Sequence, residues 1–424
     1  MGQTRVFSLI LVLIIFGTFI TGVNGTHVLG CEENSHEDCS LKTSCYQQEN
    51  FAQWRVSNDQ SYLYIRADNY YNLGLLEGKY LAFQIAWFKL IIMLQAQQLG
   101  LPYEFAYQYA AEYLEFIPEH YIIEMQGMAD AIETVPISLH GVDYEVSIDF
   151  LDILVQNTFW DFYYGKMLPI LSGFPQPPLI AGLCTAVGSF TSRTPMLAQN
   201  MDLTFMMVPT TAWVFTKLGN KHIFTFRMGA MLGLGGINKR GIAISVNLVE
   251  VLNVGSNGVP LSIRYRTALE IAKTAYAAKN IITSSDNTLG WNYIIRDNRR
   301  IYIVETIPNA NDIKLLRRGK FTFDANVYEN VLFKSFMLYP SKYLQRYDKV
   351  SELCQILSQD NNLDKKDLFS IISYYDGTNA NILRPFETYD AWEVGTAGSF
   401  MIDSQNNIYF WNLSPNLDYG YIRL

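Results

Sequence analysis

From Tyr71 to about Ile132 apolar residues recur at helical spacing, with Leu73, Leu76, Tyr80, Phe83, Ile85 and Phe88 setting the period. One side of each turn is then apolar, and the segment is expected to be helical. Pro102 and Pro118 punctuate it, because proline lacks the N–H that a helix interior needs. A further apolar-rich stretch, Val146 to Tyr164, precedes Gly173-Phe-Pro-Gln-Pro-Pro-Leu-Ile. Those prolines exclude regular structure and mark an exposed connection, where a chain can be cut. Beyond it the pattern turns to β-rich runs: Cys184 to Thr191, Met196 to Phe205, Ala212 to Leu218, His222 to Met228 and Gly241 to Val251. Turn-formers such as Leu218-Gly-Asn-Lys and Gly235-Gly-Ile-Asn separate them, so consecutive antiparallel hairpins are expected. Helices are expected over Arg264–Lys279, Lys342–Leu357 and Lys366–Tyr374. Two more hairpins turn at Asp297-Asn298 and Asn406-Asn407. Strands, helices and strands again in one chain predict helices layered on antiparallel sheets, an α+β fold.

Arg5, the apolar run Val6 to Val23 and small residues through Gly25 have the layout of a secretory signal over residues 1–25, a retained membrane anchor being the alternative. The next greasiest stretch, Leu81 to Leu94, is broken by Gln84 and Lys89 and has the length of a core helix. The expected location is therefore the secretory pathway, lysosomal, vacuolar or extracellular. A net charge of −8 with no block of like charges lacks the electrostatic footprint of nucleic-acid binding, so nucleic acid is excluded as a partner. The cysteines are Cys31, Cys39, Cys45, Cys184 and Cys354. If Cys184 is a catalytic thiol, four remain for two disulfides with three connectivities. A bridge from Cys354 to the Cys31–Cys45 cluster would tie the two halves of a cut chain together. Asn24-Gly-Thr and Asn412-Leu-Ser are candidate glycosylation sequons.

The chemistry centres on Gly182-Leu183-Cys184-Thr185, followed by Gln199-Asn200-Met201-Asp202. If these two runs form a hairpin centred on position 193, Cys184 falls opposite Asp202, about 5 Å away on one face. A cysteine placed first in its chain carries its own general base, because the free α-amine has a pKa near 8 and the thiol one near 8.5. Asp202 would orient that amine as the third member of a triad orients the second. A papain-type site would need a histidine beside the thiol, and only His222 follows Cys184. The bland alternative for Cys184 is a small buried strand residue.

This set resembles the N-terminal-nucleophile hydrolases that include acid ceramidase, N-acylethanolamine amidase and choloylglycine hydrolases. It is most similar to the acyl-coenzyme A:6-aminopenicillanic acid acyltransferase family. Cys184-Thr185 and Asn200-Met201-Asp202 look like that family's mature start and its Asn-x-Asp motif. Gly74-Leu-Leu-Glu77-Gly78 and Glu124-Met-Gln-Gly127-Met-Ala129 resemble its prosegment, and Gly236 to Asn247 resembles its hairpin. Asp324-Ala-Asn326 stands at its Thr-Asn position, and Gln345-Arg346 at its arginine site.

The resemblance implies a four-layer αββα sandwich, with a helical N-terminal region over 26–183 and a catalytic region over 184–424. Self-cleavage between Leu183 and Cys184 would leave the two fragments associated. Cys184 would be the nucleophile, Asp202 the partner of its amine, Asn326 an oxyanion donor and Arg346 its support. Gln199, Asn200 and Asn247 would line or brace the pocket. The implied activity is hydrolysis of a small-molecule N-acyl, lipid-like amide through a thioester, with no metal or cofactor, and with a lipid-presenting membrane surface among the partners. The alternatives are acyl transfer through the same thioester, or an inactive secreted paralogue that only binds.

Overall fold

The computed structural model describes residues 50–139, 141–167, 184–191, 194–252, 255, 257–338, 340–358, 363–387, 393–415 and 418–424. The expected signal segment, Cys31, Cys39, Cys45, Asn24, the proline-rich connection and Leu183 lie outside the described residues.

The chain opens with β1 (Phe51–Ser57) and β2 (Gln60–Ala67), then α1 (Tyr70–Gln98), α2 (Glu104–Ala111) and α3 (Glu119–Asp130). A small hairpin of β3 (Val135–Leu139) and β4 (Val142–Val146) leads to α4 (Phe150–Phe162). The second half begins with β5 (Thr185–Ser189), β6 (Met196–Thr204), β7 (Thr211–Leu218), β8 (Lys221–Met228), β9 (Gly235–Asn238) and β10 (Ala243–Val249). Helices α5 (Leu261–Ile271) and α6 (Ala275–Ile282) precede β11 (Gly290–Arg296), β12 (Ile301–Ile307), β13 (Ala310–Leu315) and β14 (Phe321–Asp324). The short α7 (Val331–Lys334), α8 (Pro340–Leu357) and α9 (Lys365–Ile372) then give way to β15 (Val394–Ile402), β16 (Asn407–Asn412) and β17 (Gly420–Arg423).

Two sheets face each other. Among the described residues one has nine strands in the order β1-β2-β7-β8-β9-β10-β11-β12-β13, the other six in the order β14-β5-β6-β15-β16-β17. Helices α1, α5 and α6 pack on the larger sheet, with α3 and α4 against them, while α8 and α9 pack on the smaller one. The result is the expected α+β sandwich of layers αββα. The main core lies between the sheets and under the first helical layer. A second, smaller core sits under α8 and α9 and contains Val187, Ala198, Val350, Leu368, Ile371 and Trp411. Cys354 is buried in that smaller core, and burial pushes its thiol up to about 12.

The helical expectation for the first half holds for α1, α2 and α3, which break around Pro102 and Pro118 as the proline argument requires. Asn69 caps α1 by accepting from the Asn72 N–H at 2.8 Å. The structure corrects the picture of a purely helical N-terminal region. β1 and β2 join the nine-stranded sheet, and β2 pairs with β7 in parallel, Leu63 opposite Val214. Such a long-range pairing has no local signature, since Ala67 at the end of β2 and Thr211 at the start of β7 lie far apart in the chain. Gly235 to Asn238, expected as a turn, is strand β9, because both of its edges are paired, one with β8 and one with β10. The expected helix from Arg264 to Lys279 is two, α5 and α6, with Thr274 capping the second. Among the described residues, no helix is long and apolar enough to cross a membrane.

Candidate active site

Strands β5 and β6 pair with Thr185 opposite Asn200 and Ala186 opposite Gln199. Continued by one residue, this register sets Cys184 opposite Met201, which corrects the expected pairing with Asp202. The connection between the strands holds six residues, 190 to 195, so its midpoint falls between two residues rather than on position 193. In a strand, one residue of slip moves a side chain to the other face. Cys184 therefore shares its face with Met201 and points between the sheets, while Asp202 points outward toward α8.

The two remain neighbours. The backbone N–H of Asp202 donates to the Cys184 thiol, and the carboxylate's charge acts on it. Burial, and after it the charge of Asp202, push the Cys184 thiol up to about 12, so it is protonated at neutral pH in the uncut chain. A base that takes this proton would turn the sulfur into a far stronger nucleophile.

Asp202 is fully buried and held from two sides. Thr396 Oγ1 donates to Oδ1 at 2.8 Å, and Arg346 Nη1 approaches Oδ2 at 3.4 Å. Burial raises the carboxyl above its ordinary value, while the Arg346 and Arg384 cations pull it back. Thr396 meets Asp202 because β15 pairs with β6 in that register, and a bulge between Thr396 and Gly398 then shifts the rest of the strand. Arg346, on α8, bridges two of the expected residues, since its Nη2 also donates to Asn326 Oδ1. Burial brings the Arg346 guanidinium down to about 10.

Asn326 follows β14 with φ 63, a left-handed conformation that asparagine tolerates better than most residues. Its Nδ2 donates to the Leu248 carbonyl at 2.7 Å, so Arg346 and Leu248 together set the plane of the amide. Asn247 sits between the sheets. Its Nδ2 lies 3.5 Å from the Cys184 carbonyl and 3.3 Å from that of Asp324, and its Oδ1 accepts from Gln199 Nε2 at 2.9 Å. Asn200 is not in the pocket. It faces α9, donating to the Ile372 carbonyl at 2.7 Å and accepting from Ser399, because its strand parity is that of Asp202. Asn412 gives its Nδ2 to the Ser61 carbonyl at 3.0 Å, which occupies the nitrogen its sequon would glycosylate.

The model of one protein family, described as acyl-coenzyme A:6-aminopenicillanic acid acyl-transferase, matches residues 190–407, just over half of the chain. The chain belongs to that family. No curated protein matches it. Among solved structures, it is similar to a Caenorhabditis elegans N-acylethanolamine-hydrolyzing acid amidase ortholog, at TM-score 0.37 and 14% identity over 52% of this chain and 92% of that one. Penicillin V acylase from Agrobacterium tumefaciens gives TM-score 0.37 and 15% identity over 55% and 84%. A variant of conjugated bile acid hydrolase from Clostridium perfringens gives 0.40 and 10% over 56% and 92%.

In this acyl-transferase family member, the matched span contains Asp202, Asn247, Asn326 and Arg346, and begins just after Cys184. Beside Cys184 lies a narrow cavity of about 40 Å³, walled by Trp160, Met201, Leu203, Phe226, Leu248 and Trp291 among others. It is almost wholly apolar and has room for only a few waters. Trp160 comes from α4, so the wall is assembled from both halves of the chain. Its indole N–H is buried with no hydrogen-bond partner among the described residues.

Sequence reasoning did not single out Trp160, Thr396, Arg384 or the side chain of Asp324. Asp324 pairs with Ala186, two residues from Cys184, and so shares the inward face with both. Asn292 donates to its Oδ1 at 2.9 Å, and its Oδ2 is buried with no partner among the described residues. Burial first, and the charge of Glu305 second among the raising effects, lift this carboxyl to about 7. Thr396 and Arg384 carry no local signal, because each reaches the site through strand pairing or a loop distant in sequence.

Proposed function

We propose that this protein is a self-activating cysteine amidase that cleaves linear N-acyl amides with an apolar acyl group. One observation carries the reading: a buried thiol at the head of β5 opens onto an apolar cavity, with Asp202, Arg346 and Asn326 gathered behind its backbone. Membership of a family of acyl-group enzymes supports it.

In the uncut chain Sγ attacks the Leu183 carbonyl carbon, the acyl group moves from nitrogen to sulfur as the thiol proton passes to the departing nitrogen, and water hydrolyses the thioester. That releases a free α-amine on Cys184. With a pKa near 8, the amine takes the thiol proton that the uncut site holds so tightly. Asp202 orients the amine, and Arg346 keeps Asp202 and Asn326 in register. In turnover, Sγ attacks the substrate carbonyl, Asn326 and backbone N–H groups face the oxyanion, and the amine leaves with the proton returned by the α-amine. Water then resolves the thioester. A second amine in place of water gives acyl transfer, the outcome named in the family's description.

The test is intact mass and N-terminal sequencing of the wild type beside Cys184→Ala. Two fragments, one opening Cys-Thr, are expected from the wild type alone. A single uncut chain that nonetheless hydrolyses amides would overturn the mechanism, and a cut in Cys184→Ala would assign processing to another protease.

A further inference from the structure

Cations that are scattered along the sequence meet at one end of the nine-stranded sheet. Strands β9 and β10 turn through Lys239-Arg240, β11 and β12 through Arg299-Arg300, and β13 leaves the sheet through Arg317-Arg318. All six side chains are exposed. The three turns share one end because each lies two strands from the next in an up-and-down sheet. Contacts between the turns agree. A Cβ on Gly241 would meet Asn298 Oδ1 at 2.8 Å, and Leu316 N–H donates to the Ile301 carbonyl at 2.9 Å. With strands about 4.8 Å apart, the basic pairs follow one another at roughly 10 Å and span roughly 20 Å.

Among the described residues none of the six forms an ion pair, whereas nearby Lys314 pairs with Asp312 and Glu329. The adjacent carboxylate, Asp297, is turned into backbone donors, accepting from Ala275 N–H and Arg299 N–H at 2.7 Å and from Arg300 N–H at 2.9 Å. Tyr276, half exposed on α6, adds an aromatic face beside it. The row is far from the thiol: the chain from Cys184 runs through β5 to Phe190, whose N–H donates to the Lys320 carbonyl, a path of roughly 20 Å of extended chain.

We propose that this row docks an extended polyanion, a sulfated polysaccharide chain. A line of paired cations at regular spacing matches a linear ligand with repeating anionic groups, and guanidinium groups hold oxyanions in bidentate fashion. A bilayer that delivered substrate would be expected on the side of the thiol, whereas this row lies at the other end of β5. The net charge of −8 opposes binding to any polyanion, so retention would have to come from the local row.

The test is the full-length protein on immobilised heparin at neutral pH, with soluble heparin titrations at several salt concentrations. The wild type is expected to be retained and to be released by soluble heparin. Arg299→Gln with Arg300→Gln, and separately Arg317→Gln with Arg318→Gln, are each expected to weaken binding about 10-fold at ~0.1 M salt and to flatten the log–log salt slope by about 1.5. Lys79→Gln, an exposed position of α1, should behave as wild type. Circular dichroism and the melting midpoint verify folding, and two independent turns mean that one misfolded variant leaves the other decisive. Flow-through of the wild type, or unchanged elution of both double variants, would overturn the proposal. Capture by phosphatidylserine vesicles without heparin retention would overturn it in favour of a membrane, and stronger capture by duplex DNA in favour of nucleic acid.

Discussion

Asp324 and Arg346 show how single side chains set the chemistry around Cys184. Asp324 carries a proton at acidic pH and loses it near pH 7. Its folded value lies above the ordinary carboxylate value, so its contribution to stability is complete at low pH and is lost as pH rises through about 7. Asp324→Asn keeps an acceptor for Asn292 and removes the titration. The variant is expected to match the wild type near pH 4 and to exceed it in urea unfolding at pH 8, by on the order of 2–4 kcal/mol. Because the Asp324 carboxylate also raises the Cys184 thiol, alkylation of Cys184 should quicken in the variant above pH 7 and not below. Equal pH profiles for the two proteins would remove Asp324 from the site. Arg346 holds Asp202 and Asn326 with one guanidinium, and lysine offers a single point charge in its place. Arg346→Lys is therefore expected to slow self-cleavage by roughly 10- to 100-fold, read from the time course of fragment appearance. Unchanged kinetics would mean that the bridge only stabilises the fold.

Helices α1 and α3 explain the glycine and glutamate pattern of the first half. A Cβ on Gly74 would meet the Glu124 carbonyl oxygen at 2.0 Å, and one on Gly127 would meet that of Tyr71 at 2.3 Å, so the two helices cross backbone to backbone. The crossing brings Glu77 and Glu124 inward, where they meet arginines of the second half: Arg227 at 2.7 Å and Arg266 at 3.2 Å. Arg266 also holds Glu270 at 2.6 Å. These pairs are almost fully buried, and a buried charge that loses its partner destabilises by about 3–5 kcal/mol. Glu77→Gln in the Cys184→Ala chain is expected to lose that amount in urea unfolding. Adding Arg227→Met should recover most of it, because the orphaned cation is then gone. If the double variant is no more stable than Glu77→Gln, the pair is not the source of the loss.

At the scale of the molecule, the two halves are one body. The N-terminal strands β1 and β2 extend the nine-stranded sheet, and the Glu77, Glu124 and Tyr70 side chains all bond to residues beyond Cys184. A cut before Cys184 removes one peptide bond and none of these contacts. The fragments are therefore expected to co-elute in size exclusion at high salt and with reductant, and to separate only in denaturant, as buried pairs are little screened. Separation on reduction alone would show that a disulfide from Cys354, rather than the shared sheet, holds them.

Periodicity and turn chemistry are local properties, so the sequence alone determined α1, α3, α8, the hairpins around Asp297-Asn298 and Asn406-Asn407, and the two strands that follow Cys184. Motif order also singled out Cys184, Asp202, Asn326 and Arg346, which the fold does gather. The tertiary structure decided what depends on pairing. The β5–β6 register turns on whether an unpaired connection centres on a residue or between two, and that one-residue difference placed Asp202 and Asn200 on the face opposite Cys184. The parallel β2–β7 pair, the approach of Asp324 to the thiol and the alignment of three basic turns are contacts between segments far apart in the chain. A chain without any block of like charge carries a basic row because alternate hairpin turns of a sheet emerge at the same end.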